Sequence, residues 1–192
     1  PLLWSSDGGT LFSATQERMY PRGGWALGPV RPLITENGAT RELPALRHRA
    51  GPLDALLWTD SGHALALFGA RGGYYRPELA NPDPTLAFVD GRQGRVLETL
   101  PVSELGSGRI GAAEIVRMAD QRLRAFIATD DEWFVWTQGA ALARMPNPYP
   151  DEQVATALSS DGSRLLVVRR NMRVDVMCPR APDGCSVGPP VQ

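Results

Sequence analysis

The feature that most restricts the fold is a phrase that occurs three times, LLWSSDGGTLFSA at 2–14, LLWTDSGHALALFG at 56–69 and TALSSDGSRLLVVR at 156–169. In each copy, two apolar runs enclose a cluster of Ser, Thr, Asp and Gly. Asp and Ser side chains hydrogen-bond to their own backbone in turns, and glycine accepts a positive φ without a steric penalty. Each copy is therefore predicted to be a two-stranded hairpin. The copies align in three columns: Trp4, Trp58 and Leu158; Gly8, Gly62 and Gly162; Leu11, Leu65 and Leu165.

A second phrase follows each first phrase and has the same strand, turn, strand pattern. Its copies start near 32, 85, 132 and 172, and a degenerate copy of the first phrase, EIVRMADQRLRAFIAT, has Asp120-Gln121 at its turn. The unit is thus two hairpins, or four strands, repeated four times at intervals of roughly 40 to 55 residues, which is the range of a propeller blade. The turn glycines of the second phrase are Gly38, Gly94, Gly139 and Gly184.

The phrases SSDGGTL, DSGHALAL and SSDGSRLLVV resemble the turn signature of WD40-like and TolB-like bacterial β-propellers, although no Gly-His and Trp-Asp pair bounds each unit as in WD40 repeats. The resemblance covers nearly the whole chain and implies an all-β propeller of four-stranded antiparallel blades, about four of them. A sandwich of short strands is the alternative, and the tandem units count against it. The blades are predicted at 1–46, 53–101, 110–146 and 153–192.

These blades are expected to form a single propeller domain or part of a larger ring. The chain starts on a strand-like pattern and ends near the last strand of a blade, so no spare strand is expected to close a ring. The start at Pro1, without Met, suggests a processed or truncated piece. Either a compact four-blade ring closes by side-chain packing alone, or self-association or further blades complete a larger ring.

The composition excludes several kinds of chemistry. All 20 basic residues are Arg, so mechanisms that need a lysine amine, such as P-loop phosphate binding or Schiff-base formation, are excluded within the chain. No G-x-S-x-G nucleophile elbow is present. The formal net charge of -1 gives no global attraction for nucleic acid, which is not expected as a partner. No catalytic residue is predicted.

The possible metal ligands are few and far apart. His48, His63, Cys178 and Cys185 are the only His and Cys residues, so neither a metal site nor a cofactor is predicted. His63 is expected to be a solvated turn residue, and His48 an exposed residue of a loop between blades. Cys178 and Cys185 enclose PRAPDG, so they either form a disulfide across a hairpin or remain two reduced thiols in a cytoplasmic protein.

The connections between the second and third strands of the first two blades are longer than a blade requires. Tyr, Trp and Arg are enriched at the centres of protein interfaces, so the aromatic residues and arginines of these connections are candidate partner contacts, or else they cover the ends of the sheets. The candidate residues are Tyr20, Arg22, Trp25, Tyr74, Tyr75 and Arg76.

The implied function is a non-catalytic interaction or sensor module with a protein partner, within a larger bacterial protein or assembly. The alternative is a ligand-binding or enzymatic propeller that uses acidic and aromatic residues at the channel mouth. No apolar run is long enough to span a membrane, and the first residues do not show the basic start and apolar stretch of a secretory signal. The compartment stays open, with the cytoplasm favoured.

Overall fold

The chain is all-β, and the predicted propeller fold class is confirmed: its antiparallel sheets follow one another along the sequence, each with its strands in chain order as in a propeller blade. Within the described part of the chain, helical structure is limited to one 3-10 turn, Val102–Leu105. The computed structural model describes residues 2–19, 26–70, 83–108, 110–149, 155–169 and 172–178.

The first of two compact units, Pro1–Glu104, contains two four-stranded sheets. Sheet 1 consists of β1 (Leu2–Trp4), β2 (Thr10–Met19), β3 (Ala26–Glu36) and β4 (Ala39–Glu42). Sheet 2 consists of β5 (Leu53–Trp58), β6 (His63–Phe68), β7 (Thr85–Asp90) and β8 (Arg95–Pro101).

The second compact unit, Leu105–Gln192, contains two further sheets. Sheet 3 consists of β9 (Ile110–Arg117), β10 (Leu123–Thr129), β11 (Glu132–Thr137) and β12 (Ala143–Pro146). Sheet 4 has three strands within the described residues, namely β13 (Ala155–Leu158), β14 (Leu165–Val168) and β15 (Val174–Met177).

The repeated glycines lie in equivalent turns, as predicted. Gly8, Gly62 and Gly162 have φ values of +70°, +83° and +65°, and each donates its N–H to the carbonyl three residues earlier. In the degenerate copy Gln121 takes this place, with φ +69° and the same bond to Met118. The backbone geometry of the turn is thus kept even where glycine is absent, at the steric cost that a side chain brings to this conformation.

In three of these turns an aspartate side chain accepts a hydrogen bond from the turn's own backbone. The Asp7 carboxylate accepts a hydrogen bond from the Gly9 N–H at 2.9 Å, and the Asp161 carboxylate accepts one from the Ser163 N–H at 3.0 Å. Asp120 accepts the corresponding bond from Arg122 at 3.1 Å. Hydrogen bonds from Ser159 and Ser163 keep the pKa of Asp161 well below its usual range. The aspartate in the repeated phrase therefore serves to stabilise the turn.

The third column of the sequence alignment was wrong for sheet 2. Trp4 pairs with Leu11 and Leu158 pairs with Leu165, whereas Trp58 pairs with Ala64. The β5–β6 turn is one residue shorter, because Thr59 bonds to the carbonyl four residues on, while the corresponding bonds in sheets 1 and 4 reach five residues on. A shift of one residue moves side chains to the opposite face of a strand. Leu65 therefore points to the other face from Leu11 and Leu165.

Each unit has a core between its two sheets, built from the inward-pointing residues of neighbouring strands. Removing such side chains from water supplies most of the stabilisation of a packed sheet pair. The cluster between sheets 1 and 2 includes Phe12, Ile34, Leu56, Trp58, Ala66, Phe68 and Val89. The cluster between sheets 3 and 4 includes Phe126, Ala128, Trp133, Val135, Leu165 and Val167.

Candidate functional site

The candidate partner contacts Tyr20, Arg22, Trp25, Tyr74, Tyr75 and Arg76 all lie outside the described residues. The structure does describe the two ends of the connection that carries the last three of them. This connection leaves β6 through Gly69 and Ala70 and re-enters the described chain at Asp83, before β7. The predicted partner contacts therefore stay a prediction, and the description below concerns these two ends.

A cavity of about 300 Å³ lies beside the two ends of this connection. Its walls come from the segment that joins sheet 1 to sheet 2, from the start of β7 and from the outer strand β8. Thr85 is buried, whereas Arg49 and Thr99 are exposed at the cavity. The lining residues are His48, Arg49, Ala50, Asp83, Thr85, Thr99 and Pro101.

The departing end of the connection is held by close contact of backbone with backbone. Gly69 has φ +77° and donates its N–H to the Pro52 carbonyl at 3.0 Å. A Cβ at Gly69 would lie 2.1 Å from the carbonyl oxygen of Ala50, so only glycine fits there. Gly51 also has positive φ, and a Cβ there would lie 3.0 Å from Gly69 Cα. The segment that lines the cavity and the start of the connection are thus fixed against each other.

The returning end is held by a carboxylate. Asp83 accepts hydrogen bonds from the N–H and the hydroxyl of Ser103, at 3.1 Å and 2.7 Å, at the start of the 3-10 turn. The Val102 N–H donates to the Pro84 carbonyl at 2.7 Å. Together with the contacts of Gly69, these bonds hold both ends of the connection beside sheet 2.

The expectation that His48 is exposed was wrong, because this residue is half-buried beside the cavity. It forms an isolated antiparallel bridge with Gly51, and its ring lies 5.4 Å from the Phe68 ring. Nδ1 accepts a hydrogen bond from the Ala50 N–H at 3.2 Å, which leaves Nε2 as the nitrogen available to a ligand. Burial and the nearby Arg49 guanidinium lower the pKa of His48. His48 is therefore neutral at physiological pH, and among the described lining residues Arg49 supplies a positive charge.

The other histidine has a local role in a turn. His63 begins β6 and is half-buried. The ring Nδ1 of His63 lies 3.1 Å from the Ser61 hydroxyl. The backbone N–H of His63 donates to the Thr59 hydroxyl at 3.2 Å. The expectation of a solvated turn residue was wrong: His63 is the first residue of β6, directly after the turn, and its side chain is half-buried.

Cys178 follows β15 and is half-buried, and no described cysteine is free. Cys185 lies outside the described residues, so the Cys178–Cys185 disulfide stays a prediction. Among the described residues, no group of three or more His, Cys, Asp or Glu side chains is placed to hold a metal ion. No helix in the described ranges is both long enough and apolar enough to cross a membrane.

The chemistry of the cavity suits recognition of a polar group. It offers hydroxyls from Thr85 and Thr99, the Asp83 carboxylate and the Arg49 guanidinium. Its volume is at the lower end of the range for small-molecule sites. The arrangement can therefore offer both donors and acceptors to a side chain or a short backbone segment of a larger ligand.

No family model matches the chain, and no curated protein is similar to it. Among solved structures, it is similar to YCF48 bound to D1 peptide (12% identity, 94% of this chain and 50% of that chain, TM-score 0.44). It is similar to virginiamycin B lyase from Staphylococcus aureus (12% identity, 97% and 53%, TM-score 0.47). It is also similar to a Mycobacterium tuberculosis puromycin-hydrolyzing peptidase (15% identity, 93% and 29%, TM-score 0.44). The chain spans about half the length of the first two.

Proposed function

We propose that the chain is a non-catalytic interaction module of the β-propeller type, related to WD40-like and TolB-like repeats, that binds a protein partner. The binding surface comprises the β2–β3 and β6–β7 connections and the cavity beside the latter. Its anchors are the aromatic residues and arginines of the two connections, Tyr20, Arg22, Trp25, Tyr74, Tyr75 and Arg76.

The observation that carries this proposal is the pair of attachments at the ends of the β6–β7 connection. Gly69 is packed against the Ala50 carbonyl, and Asp83 is bonded twice to Ser103. Holding both ends restricts the conformations of the intervening residues, which reduces the entropy lost on binding. Pro77, Pro82 and Pro84 restrict the backbone further. Such a connection is suited to presenting Tyr74, Tyr75 and Arg76.

The cavity adds a place for one polar group of the partner. Arg49 supplies a positive charge and Asp83 a negative charge at its walls, and the neutral His48 supplies a ring nitrogen. A peptide segment has carbonyl acceptors, N–H donors and charged side chains that match these groups. A protein ligand with an extended segment is therefore the expected partner class.

The experiment is a selection of peptides from a random library displayed on phage, with the purified chain as the target. The variant Tyr74→Ala/Tyr75→Ala/Arg76→Ala is expected to lose the selected peptides while keeping its thermal stability. Truncating a central anchor typically costs on the order of 2 kcal/mol or more of binding free energy. A second variant, Thr99→Trp, blocks the cavity from an exposed position and is expected to weaken the same peptides.

The matched control is Arg95→Ala, which removes an exposed arginine beside the turn at the other end of β7. It is expected to leave binding unchanged. Unchanged affinity together with lost stability in the triple variant would show that Tyr74, Tyr75 and Arg76 only cover the end of the sheet. Unchanged affinity with unchanged stability would place the binding surface elsewhere.

A further inference from the structure

Sheet 2 docks on sheet 1 through two positions of its first hairpin. Trp58, the last residue of β5, stacks on Phe12 with centroids 5.2 Å apart, and its Nε1 donates to the Ser13 carbonyl at 3.2 Å. Gly62 of the following turn lies over the same ring, and a Cβ there would come within 2.9 Å of it. Phe12, which receives this contact, is completely buried, and so is Ile34, its pairing partner in β3 and a member of the same core cluster.

Sheet 4 docks on sheet 3 through the same two positions. Leu158, the last residue of β13, packs against the cluster that contains Phe126 and Trp133. Gly162 of the following turn accepts a hydrogen bond at its carbonyl from Arg124 Nη1 at 2.9 Å. Both sheet pairs are therefore joined by the last residue of a first strand and the glycine of the next turn.

Sheet 1 has the same two positions, and the described residues do not cover them. Trp4 corresponds to Trp58 and Leu158, yet it is 59% exposed, and Leu2 on the same face is 74% exposed. Gly8 corresponds to Gly62 and Gly162, and a Cβ there would have no atom within 4 Å. We call the exposed surface of Leu2, Trp4 and Gly8 the docking face.

Sheet 4 shows the complementary surface. Leu166 follows Leu165 in β14 just as Phe12 follows Leu11 in β2, and it pairs with Val176 just as Phe12 pairs with Ile34. Phe12 and Ile34 are 0% exposed, whereas Leu166 and Val176 are each 39% exposed. We call the surface of Leu166 and Val176 the receiving face.

We propose that the docking face of one copy of the chain packs on the receiving face of a second copy. Trp4 then lies over Leu166 and Val176, as Trp58 lies over Phe12. Large apolar side chains that share one face and are exposed to water mark interaction surfaces. A second copy is the occupant that fits best, because the chain carries both halves of an interface type that it already uses twice. Its net charge of -1 gives little repulsion between copies.

The two faces differ, so the contact is heterologous, with copies arranged head to tail. Each copy keeps one docking face and one receiving face, and both must be intact for association among identical copies. The need for both faces distinguishes this contact from nonspecific apolar association, which does not depend on two particular faces. It is also independent of the peptide-binding proposal, because neither face includes the β2–β3 or β6–β7 connection.

The experiment is sedimentation velocity of the purified chain over a wide range of concentration. Self-association is expected for the wild type, and Trp4→Arg and Leu166→Arg are each expected to be monomeric with unchanged circular dichroism. An equimolar mixture of the two variants is expected to associate again, because one intact docking face then meets one intact receiving face. Met172→Arg is the control, since Met172 is 81% exposed but lies in the turn before β15, and it is expected to associate like the wild type.

Any one of four results would overturn the proposal. The wild type could be monomeric at every concentration, or it could associate with Trp4→Arg and Leu166→Arg having no effect. The mixture of the two variants could also remain monomeric although each is folded. If Trp4→Arg instead lowered the melting temperature of a monomer, the docking face would be covered within a single chain, and the second copy would be excluded.

Discussion

The indole ring of Trp58 stacks on the phenyl ring of Phe12, with planes inclined by 29°. The guanidinium of Arg92 lies over the same phenyl ring, 5.2 Å from its centroid, and pairs with Glu36 at 2.9 Å. This contact joins two sheets that neighbouring repeats supply. It is also the contact whose counterpart at Trp4 has no described partner.

Trp58→Ala is expected to lower the free energy of unfolding by about 3–5 kcal/mol, because it leaves a cavity against Phe12 and removes the bond to Ser13. Urea denaturation monitored by circular dichroism measures this change. Trp4→Ala is the matched control at the equivalent exposed position, and in dilute solution its effect is expected to stay below about 1 kcal/mol. Equal effects of the two substitutions would contradict the difference in packing.

Gly69→Ala is expected to destabilise the chain much more than Gly38→Ala. Gly69 and Gly38 have nearly the same φ, +77° and +76°. A Cβ at Gly69 would lie 2.1 Å from the Ala50 carbonyl oxygen, whereas a Cβ at Gly38 would have no neighbour within 4 Å. Gly38→Ala therefore carries only the left-handed backbone cost of roughly 1–2 kcal/mol. Thermal unfolding of both variants gives the comparison, and similar melting temperatures would argue against the tight approach at Gly69.

Glu114→Gln is expected to raise stability at neutral pH and to have little effect in acid. Burial raises the pKa of Glu114, whose carboxylate lies between sheets 3 and 4 at 3.4 Å from the Thr156 hydroxyl. Because the folded-state pKa is the higher one, ionisation opposes folding as the pH rises through the unfolded and then the folded pKa. Melting temperatures at about pH 3.5 and pH 7 test this expectation. A variant less stable than the wild type at pH 7 would show that the charge is favourable.

Labelling with iodoacetamide decides the state of the cysteines. If Cys178 and Cys185 are joined, the denatured but unreduced chain takes up no label, and the reduced chain takes up two. Closing a short loop restricts the unfolded chain, so reduction is also expected to lower the melting temperature. Two labels without reduction would establish free thiols.

The turns of this protein could be predicted from sequence because their chemistry is local. Asp7, Asp120 and Asp161 each accept a backbone N–H two residues on, so the pattern is visible within a few letters. Even the turn at Gln121 was recognisable from Asp120, since the carboxylate is kept while the glycine is not.

The face of the sheet on which each side chain lies could not be predicted from the same sequence pattern. Leu65 aligns with Leu11 and Leu165, yet a turn shorter by one residue reverses its direction. The burial of His48 depends on its bridge to Gly51 and its contact with Phe68, which the segment between the sheets brings together. The cavity beside it is formed by residues distant in the chain, and no pattern in the letters pairs them.

The attachments at Gly69 and Asp83 have a consequence for how the sequence of residues 71–82 can vary in evolution. Gly69 contacts the Ala50 backbone and donates to the Pro52 carbonyl, and Asp83 accepts from Ser103, so these contacts are made to residues outside 71–82. These contacts do not depend on which residues stand between the two points. A library in which 71–82 is randomised is expected to yield mostly folded chains with different ligands, as antibody loops do on a constant framework.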